Sequence, residues 1–263
     1  MLTSLQNPLV KQLRKLKRGR DRHEQNLFLL EGTHLVEAAC EVGFPIDTVC
    51  STQRWCDRYP DLWEHLQAKA NRTEQVSDAV LEAIATTVTP DGVLATAPRQ
   101  LPQAPVEPVS LGLMMETLQD PGNLGTIIRT AAAAGVEGLW LTADSVDLDH
   151  PKVLRASAGQ WFRLPMQVSD DPIAQIQQCK ANGMQVVATL PTATTSYWEV
   201  DLTCPTLFLL GNEGAGLSSP WVEQADLGVT IPLAQGVESL NVAIATALLV
   251  YEAQRQRSQL QFL

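Results

Sequence analysis

The sequence predicts an α/β protein, a parallel sheet covered by helices and preceded by a smaller α/β unit. Two observations lead there. After residue 110, the short apolar runs Leu111 to Glu116, Leu139 to Thr142, Met184 to Thr189, Leu207 to Leu210 and Val229 to Ile231 alternate with helical stretches at Leu124 to Ala134, Pro151 to Ser157, Pro172 to Ala181 and Leu240 to Gln256. Apolar runs without a polar face suit strands buried on both sides, and helices between them suit the crossovers of a parallel sheet. Upstream, Ala97 to Ser110 carries Pro98, Pro102, Pro105 and Pro108, a density that neither a helix nor a central strand tolerates. The expected division is therefore a first domain over residues 1–96, a proline-rich linker over 97–109 and a second domain over 110–263, and a chain of 263 residues suits two such domains.

Within the first domain, Pro8 to Lys17 reads helical, with Leu9, Leu13 and Leu16 on one face. Leu27 to Leu30 is a short apolar strand before Glu31-Gly32, and His34 to Val42 reads helical. Ile46 to Cys50, a helix around Trp63, Val76 to Ile84, and Val93 to Ala95 complete the unit. In the second domain, ligands of an open parallel sheet gather at the carboxyl ends of the strands, so the residues after each strand are the place to look for chemistry.

Composition excludes several classes. With 45% hydrophobic and 18% charged residues the chain has an ordinary globular make-up, without the bias of a disordered or fibrous sequence. No apolar run approaches the roughly 18 residues of a membrane span, and the first twenty residues carry charge where a signal peptide needs its apolar core. A cytoplasmic chain with no membrane association is expected. Cys40, Cys50, Cys56, Cys179 and Cys204 form no CxxC pair, and His23, His34, His65 and His150 form no HExxH or HxxxH pair, so no metal site and no disulfide framework is indicated.

Charge is informative by position. Against a net charge of −10, the first twenty residues hold Lys11, Arg14, Lys15, Lys17, Arg18 and Arg20 and no acid. Such an arm can neutralise phosphates; taken alone, it reads better as a solvated basic helix face.

Three segments of the second domain stand out. In Asp120 to Gly135, Pro121 and Gly122 make a turn, Asn123 is placed to cap, and Arg129 lies nearly two turns further along a helix with four consecutive alanines. Taken alone, this is a capping asparagine and a surface arginine. In Leu207 to Leu217 an apolar strand ends in Gly211, Gly214 and Gly216 with Glu213 among them, which lets a ligand approach the backbone or simply makes a glycine turn. Its spacing is neither GxGxxG nor GxxxxGK[ST], which speaks against a dinucleotide or P-loop enzyme. In Ile231 to Ala245 a strand end runs into a loop, and Ser239 and Asn241 stand at the entrance of a long apolar helix, with Ser239 as its N-cap on the plainest reading.

Taken together, NLGTIIRTAAAAG, LLGNEGAGLS and IPLAQGVESLNVA resemble the three ordered motifs of the SpoU-type (TrmH-like) RNA ribose 2'-O-methyltransferases, members of the SPOUT superfamily. Lys152 to Gly159, KVLRASAG, is similar to the family's lysine-to-glycine helix segment. NPLVKQLRKL, FLLEG and Thr89 to Ala95 resemble its small RNA-binding domain, related in fold to a ribosomal protein. The resemblance implies a second domain tied in a deep trefoil knot, S-adenosylmethionine as methyl donor, no metal, rRNA or tRNA as substrate and a homodimer.

It also implies site residues. Gly211, Ile231 and Leu240 match the backbone contacts to the adenosine part of the donor, with Thr189 nearby, and Asn123, Arg129, Glu213, Ser239 and Asn241 match the family's polar set. A sulfonium already activates the methyl group, so the protein has to align the ribose oxygen and assist loss of its proton. Guanidinium groups keep their charge in proteins, which suits Arg129 to the adjacent phosphate and the developing alkoxide rather than to a base's role. Asn123 and Ser239 would orient Arg129 and the ribose, and Glu213 and Asn241 would hold the loops in register. The basic arm, with Arg155 and Arg163, would offset an acidic body on the RNA-facing side. The competing class is a non-catalytic RNA-binding or ribosome-assembly factor that retains the fold.

Overall fold

The structure is a computed structural model and describes residues 1–100, 104–106 and 108–260. Residues 101–103 and 107, which fall in the expected linker, and 261–263 lie outside the described residues. The chain forms two compact units, Met1–Gln100 with Asp147–Phe162, and Leu101–Val146 with Arg163–Leu263.

The first unit begins with α1 (Pro8–Lys15), whose N-terminus is capped by the Asn7 side chain accepting from Leu9 N–H, and whose Leu9, Val10 and Leu13 are buried. Then follow α2 (Gly19–Gln25), β1 (Leu27–Glu31), α3 (Thr33–Glu41), β2 (Thr48–Ser51), α4 (Gln53–Arg58), α5 (Pro60–Lys69), β3 (Arg72–Gln75), α6 (Asp78–Ile84) and β4 (Val93–Pro98). The sheet order is β1-β4-β2-β3, antiparallel except for β2 with β3. Leu9, Leu13 and Leu16 join Val80, Leu81 and Ile84 in one core cluster. Strand β4 extends two residues into the segment expected as linker. Arg99 N–H donates to Asn26 C=O, which puts Pro98, opposite Leu27, where an antiparallel ladder asks for no N–H.

The second unit contains β5 (Leu111–Met115), α7 (Pro121–Ala133) and β6 (Gly138–Thr142). The chain then passes through α8 (Pro151–Ala156), which belongs to the first unit, and returns as β7 (Met166–Ser169), α9 (Pro172–Ala181), β8 (Gln185–Thr189), β9 (Thr195–Ser196), β10 (Thr206–Leu210), α10 (Ser219–Val222), β11 (Leu227–Thr230) and α11 (Val242–Leu260). Seven strands in the order β7-β6-β5-β10-β8-β11-β9 pair in parallel throughout, as the apolar runs predict. Every residue of β5, β6 and β10 is buried. Gly112 and Gly138 make room for the Trp140 indole, which a Cβ at either position would meet at 2.9 and 2.6 Å. No helix of the described residues is long and apolar enough to cross a membrane.

Residues 147–162 differ from the expected cut, which left them in the second domain. Arg22 on α2, buried, pairs with Asp147 and Asp149 at 3.0 Å each, and Arg99 also bonds Asp149. Trp161 packs 5.3 Å from the Phe28 ring and 5.8 Å from Phe44, and its indole N–H donates to Leu148 C=O at 2.9 Å. Buried charges hold their places only when paired, so this network fixes the segment to the first unit.

Candidate active site

Because the second unit's sheet is parallel, the carboxyl ends of its strands share one edge, and the segments following β5 and β10 meet there. Asn212 closes the loop after β10. Its side-chain oxygen accepts from Gly214 N–H at 2.8 Å and Ala215 N–H at 3.0 Å, and its amide donates to Thr117 C=O at 2.8 Å. At the neck of the loop the backbone folds onto itself: a Cβ on Gly211 would lie 2.1 Å from the Gly216 carbonyl carbon, so only glycine serves.

Glu213, exposed, reaches across to the segment before α7. It accepts from Asp120 N–H at 3.2 Å, Gln119 N–H at 3.4 Å and Asn123 Nδ2 at 3.2 Å. Partial burial pushes its carboxyl up, but hydrogen bonds from its own backbone N–H, from Asn123 and from the amides of Asp120 and Gln119 outweigh that, and its pKa falls below the ordinary value. Asn123 Oδ1 in turn accepts from Asn241 Nδ2 at 2.9 Å. Asn241, Asn123 and Glu213 therefore form one hydrogen-bonded chain joining all three segments.

Two capping expectations are corrected. Asn123 does not cap α7. Pro121 opens that helix and Asp120 caps it, accepting from Gly122 N–H at 2.6 Å and Asn123 N–H at 2.9 Å, which leaves the Asn123 side chain free to bridge. Ser239 does not cap α11; Asn241 does, accepting from Ala243 N–H at 2.9 Å.

Beside the chain lies a cavity of about 440 Å³, within the range of small-molecule sites. Thr189, Gly211, Ile231 and Leu240 line it, as do Glu213 and Ser239. The Thr189 hydroxyl is buried and without a hydrogen-bond partner among the described residues, so the wall keeps an unmet polar group. That orphan, together with backbone groups and apolar side chains such as Leu190, Leu210 and Leu217, fits a nucleoside with a polar edge. Arg129 stands apart. It is exposed on α7, is no part of the hydrogen-bonded chain, and has no ion-pair partner among the described residues.

In the first unit Lys11, Arg14, Lys15, Lys17, Arg18 and Arg20 are all exposed. Arg20 pairs with Glu24 at 2.7 Å, and Lys11 and Lys15 share a groove of about 320 Å³ with Asp21 and Glu24, so carboxylates interrupt the positive face. Arg155 is tied to the buried Glu31 at 3.2 Å and to the Thr86 hydroxyl at 2.6 Å. The residues that sequence reasoning missed are Asp120, legible as an Asp-Pro helix start, and Asn212, legible as a turn asparagine. Glu116 and Ser218, which hydrogen-bond to each other, carry no local signal.

A family model described as the SpoU rRNA Methylase family matches residues 110–251, and one described as an MRM3-like substrate binding domain matches residues 7–95. The chain belongs to the SpoU rRNA methylase family. An uncharacterized tRNA/rRNA methyltransferase of Synechocystis sp. is 49% identical over 97% of this chain and 94% of its own length. The 23S rRNA (guanosine(2553)-2'-O)-methyltransferase RlmP of Bacillus subtilis is 33% identical over 95% of this chain and 97% of its own. Among solved structures, an AdoMet-bound rRNA methyltransferase from Sinorhizobium meliloti superposes with a TM-score of 0.86 at 32% identity, covering 97% of both chains. In this SpoU chain the site's three segments all fall within the span matched by the methylase model.

Proposed function

We propose that this SpoU-family enzyme transfers the methyl group of S-adenosylmethionine to a ribose 2'-hydroxyl of structured RNA, rRNA or tRNA. The observation that carries the reading is the Asn241–Asn123–Glu213 chain beside a cavity whose one orphaned buried hydroxyl is Thr189. When bound, S-adenosylmethionine supplies a methyl group already activated by a sulfonium. Thr189, Gly211, Ile231 and Leu240 hold its adenosine part, with the Thr189 hydroxyl and backbone groups of the loops giving it polar partners.

The remaining residues divide by what occupies them. Both ends of the Asn123 amide are engaged, so Asn123 works with Glu213 and Asn241 to keep the loops in register. Arg129 and Ser239, both exposed, are left for the RNA. Arg129 grips the phosphate beside the target ribose and stabilises the oxygen as its proton leaves, and Ser239 orients the ribose at the mouth of the cavity. No metal is needed for a methyl group so activated.

Lys11, Arg14, Lys15, Lys17, Arg18 and Arg20 hold phosphates of the RNA. The apolar residues Ile244, Leu248 and Tyr251, exposed on α11, support a homodimer, since a surface helix of a monomer rarely shows such a row to water. The family resemblance supports a deep trefoil knot in the second unit and a ribosomal-protein-like fold for the first. The enzyme works in the cytoplasm, where its RNA is. Transfer of labelled methyl from S-adenosylmethionine to total RNA, with mapping of the modified nucleotide, tests the reading. Folded protein that binds neither S-adenosylmethionine nor its demethylated product in calorimetry refutes it.

A further inference from the structure

We propose that Glu116 is a positioning residue for the methyl donor, holding the loop after β10 shut from outside the cavity; this rests on the reading of that cavity as the donor site. The loop leaves β10 at Leu210 and ends at Ser218, and every residue from 210 to 217 lines the cavity. Glu116 fastens both ends. Its backbone N–H donates to Leu210 C=O at 2.9 Å, and its carboxylate accepts from Ser218 N–H at 2.7 Å and from the Ser218 hydroxyl. Neither Glu116 nor Ser218 lines the cavity, so any effect on the donor passes through the loop.

A second observation is independent of the first. Ser218 is the N-cap residue of α10, where a serine oxygen ordinarily accepts from the amides of the first turn. Here the side chain makes no capping bond, and the hydroxyl goes to Glu116. A third lies in the backbone: Thr117 holds φ at +53°, a left-handed conformation that is costly for a β-branched residue. The turn lets neighbouring residues serve opposite ends of the loop, Glu116 the exit at Ser218 and the Thr117 carbonyl the start at Asn212. Two charge-assisted bonds and one strained residue, none of them lining the cavity, are a large investment in the shape of a glycine-rich loop that has little stiffness of its own.

The test is calorimetric titration of S-adenosylmethionine into the full chain bearing Glu116→Ala, Ser218→Ala, both together, or Ser218→Thr, with Tm recorded for each. The single alanine variants are expected to raise Kd about tenfold, the scale of losing a hydrogen bond to a charged group. The double variant should add little, because both changes open one lock. Ser218→Thr, which keeps the N–H and the hydroxyl, should return Kd to near wild type. In turnover assays the loss should fall more on KM for the donor than on kcat. Donor affinity within twofold of wild type in folded Glu116→Ala and Ser218→Ala overturns the proposal, as does a loss that Ser218→Thr fails to restore. Should Glu116→Ala not fold, the Ser218 pair decides alone. Absence of donor binding in the wild type would instead overturn the functional reading, so the two failures are distinct.

Discussion

Two of the molecule's polar networks are built in opposite ways. In the first unit, Arg22 is 1% exposed and pairs with Asp149, itself 3% exposed, and Arg155 reaches the buried Glu31. In the second, Asn241 and Glu213 are exposed and Asn123 partly so, and two of the three are neutral amides. Full charges out of water are locked, because moving either partner strands the other. Amides at the surface can part and re-form at small cost, since water substitutes for either partner. The contrast separates what has to stay in place from what has to admit a nucleic acid.

The largest expected effect breaks the first network. Arg22→Met removes the cation and leaves Asp147 and Asp149 with Arg99 and His23 as ion-pair partners among the described residues. Loss of one partner from a buried pair costs about 3–5 kcal/mol, read as a lowered urea midpoint at unchanged m-value. A change below about 1 kcal/mol would mean that Arg99 alone can hold the segment.

Next in size is a change with no expected effect on stability. Arg129→Ala should cost about a hundredfold to a thousandfold in single-turnover methyl transfer while leaving donor affinity near wild type, because the contacts proposed for the donor lie on other residues. Arg129→Lys should recover part of the rate, since an ammonium lacks the planar fork that grips a phosphate with two bonds. Lost donor binding in Arg129→Ala would move the residue into the donor pocket.

A smaller effect sits at the edge of the exposed network. Asp120→Ala removes the cap of α7, worth about 1 kcal/mol, and loosens the backbone whose amides reach Glu213. Urea unfolding and donor titration should both register it, in contrast to Arg22→Met, which should leave the donor affinity of the folded fraction intact.

How far these features could be read in advance depended on the range of the interactions. The buried strands β5, β8 and β10 announce themselves, because burial on both faces demands unbroken apolar runs. Strand β3, with the sequence RTEQ, and helix α2, GRDRHEQ, carry no apolar period at all and stayed invisible. Around Asn123 two side chains competed for one cap, and Pro121 at the first helical position decides for Asp120. The placement of residues 147–162 turns on contacts that span more than 120 positions, such as Arg22 with Asp149, which no local pattern encodes.

The smallest expected effect concerns pH and only the exposed network. The Glu213 pKa is held below its ordinary value in the folded state, where partial burial is outweighed by bonds from its own N–H, Asn123, Asp120 and Gln119. A group with a depressed folded pKa contributes stability that is fully present above its unfolded value, about 4.3 for glutamate, and lost as pH falls through the folded value. Donor affinity should therefore stay flat from neutrality down to that ordinary range and weaken only below it. Asp144 is also depressed, by hydrogen bonds with Thr142 and Thr117, so a fall in affinity at low pH does not by itself name the residue. Glu213→Gln separates them: it keeps one oxygen for the Asn123 amide and has no charge to lose, so its affinity should start lower and show less of the acid-side drop. A wild type whose donor affinity already declines well above pH 5 would show that Glu213 is not the group holding the loops together.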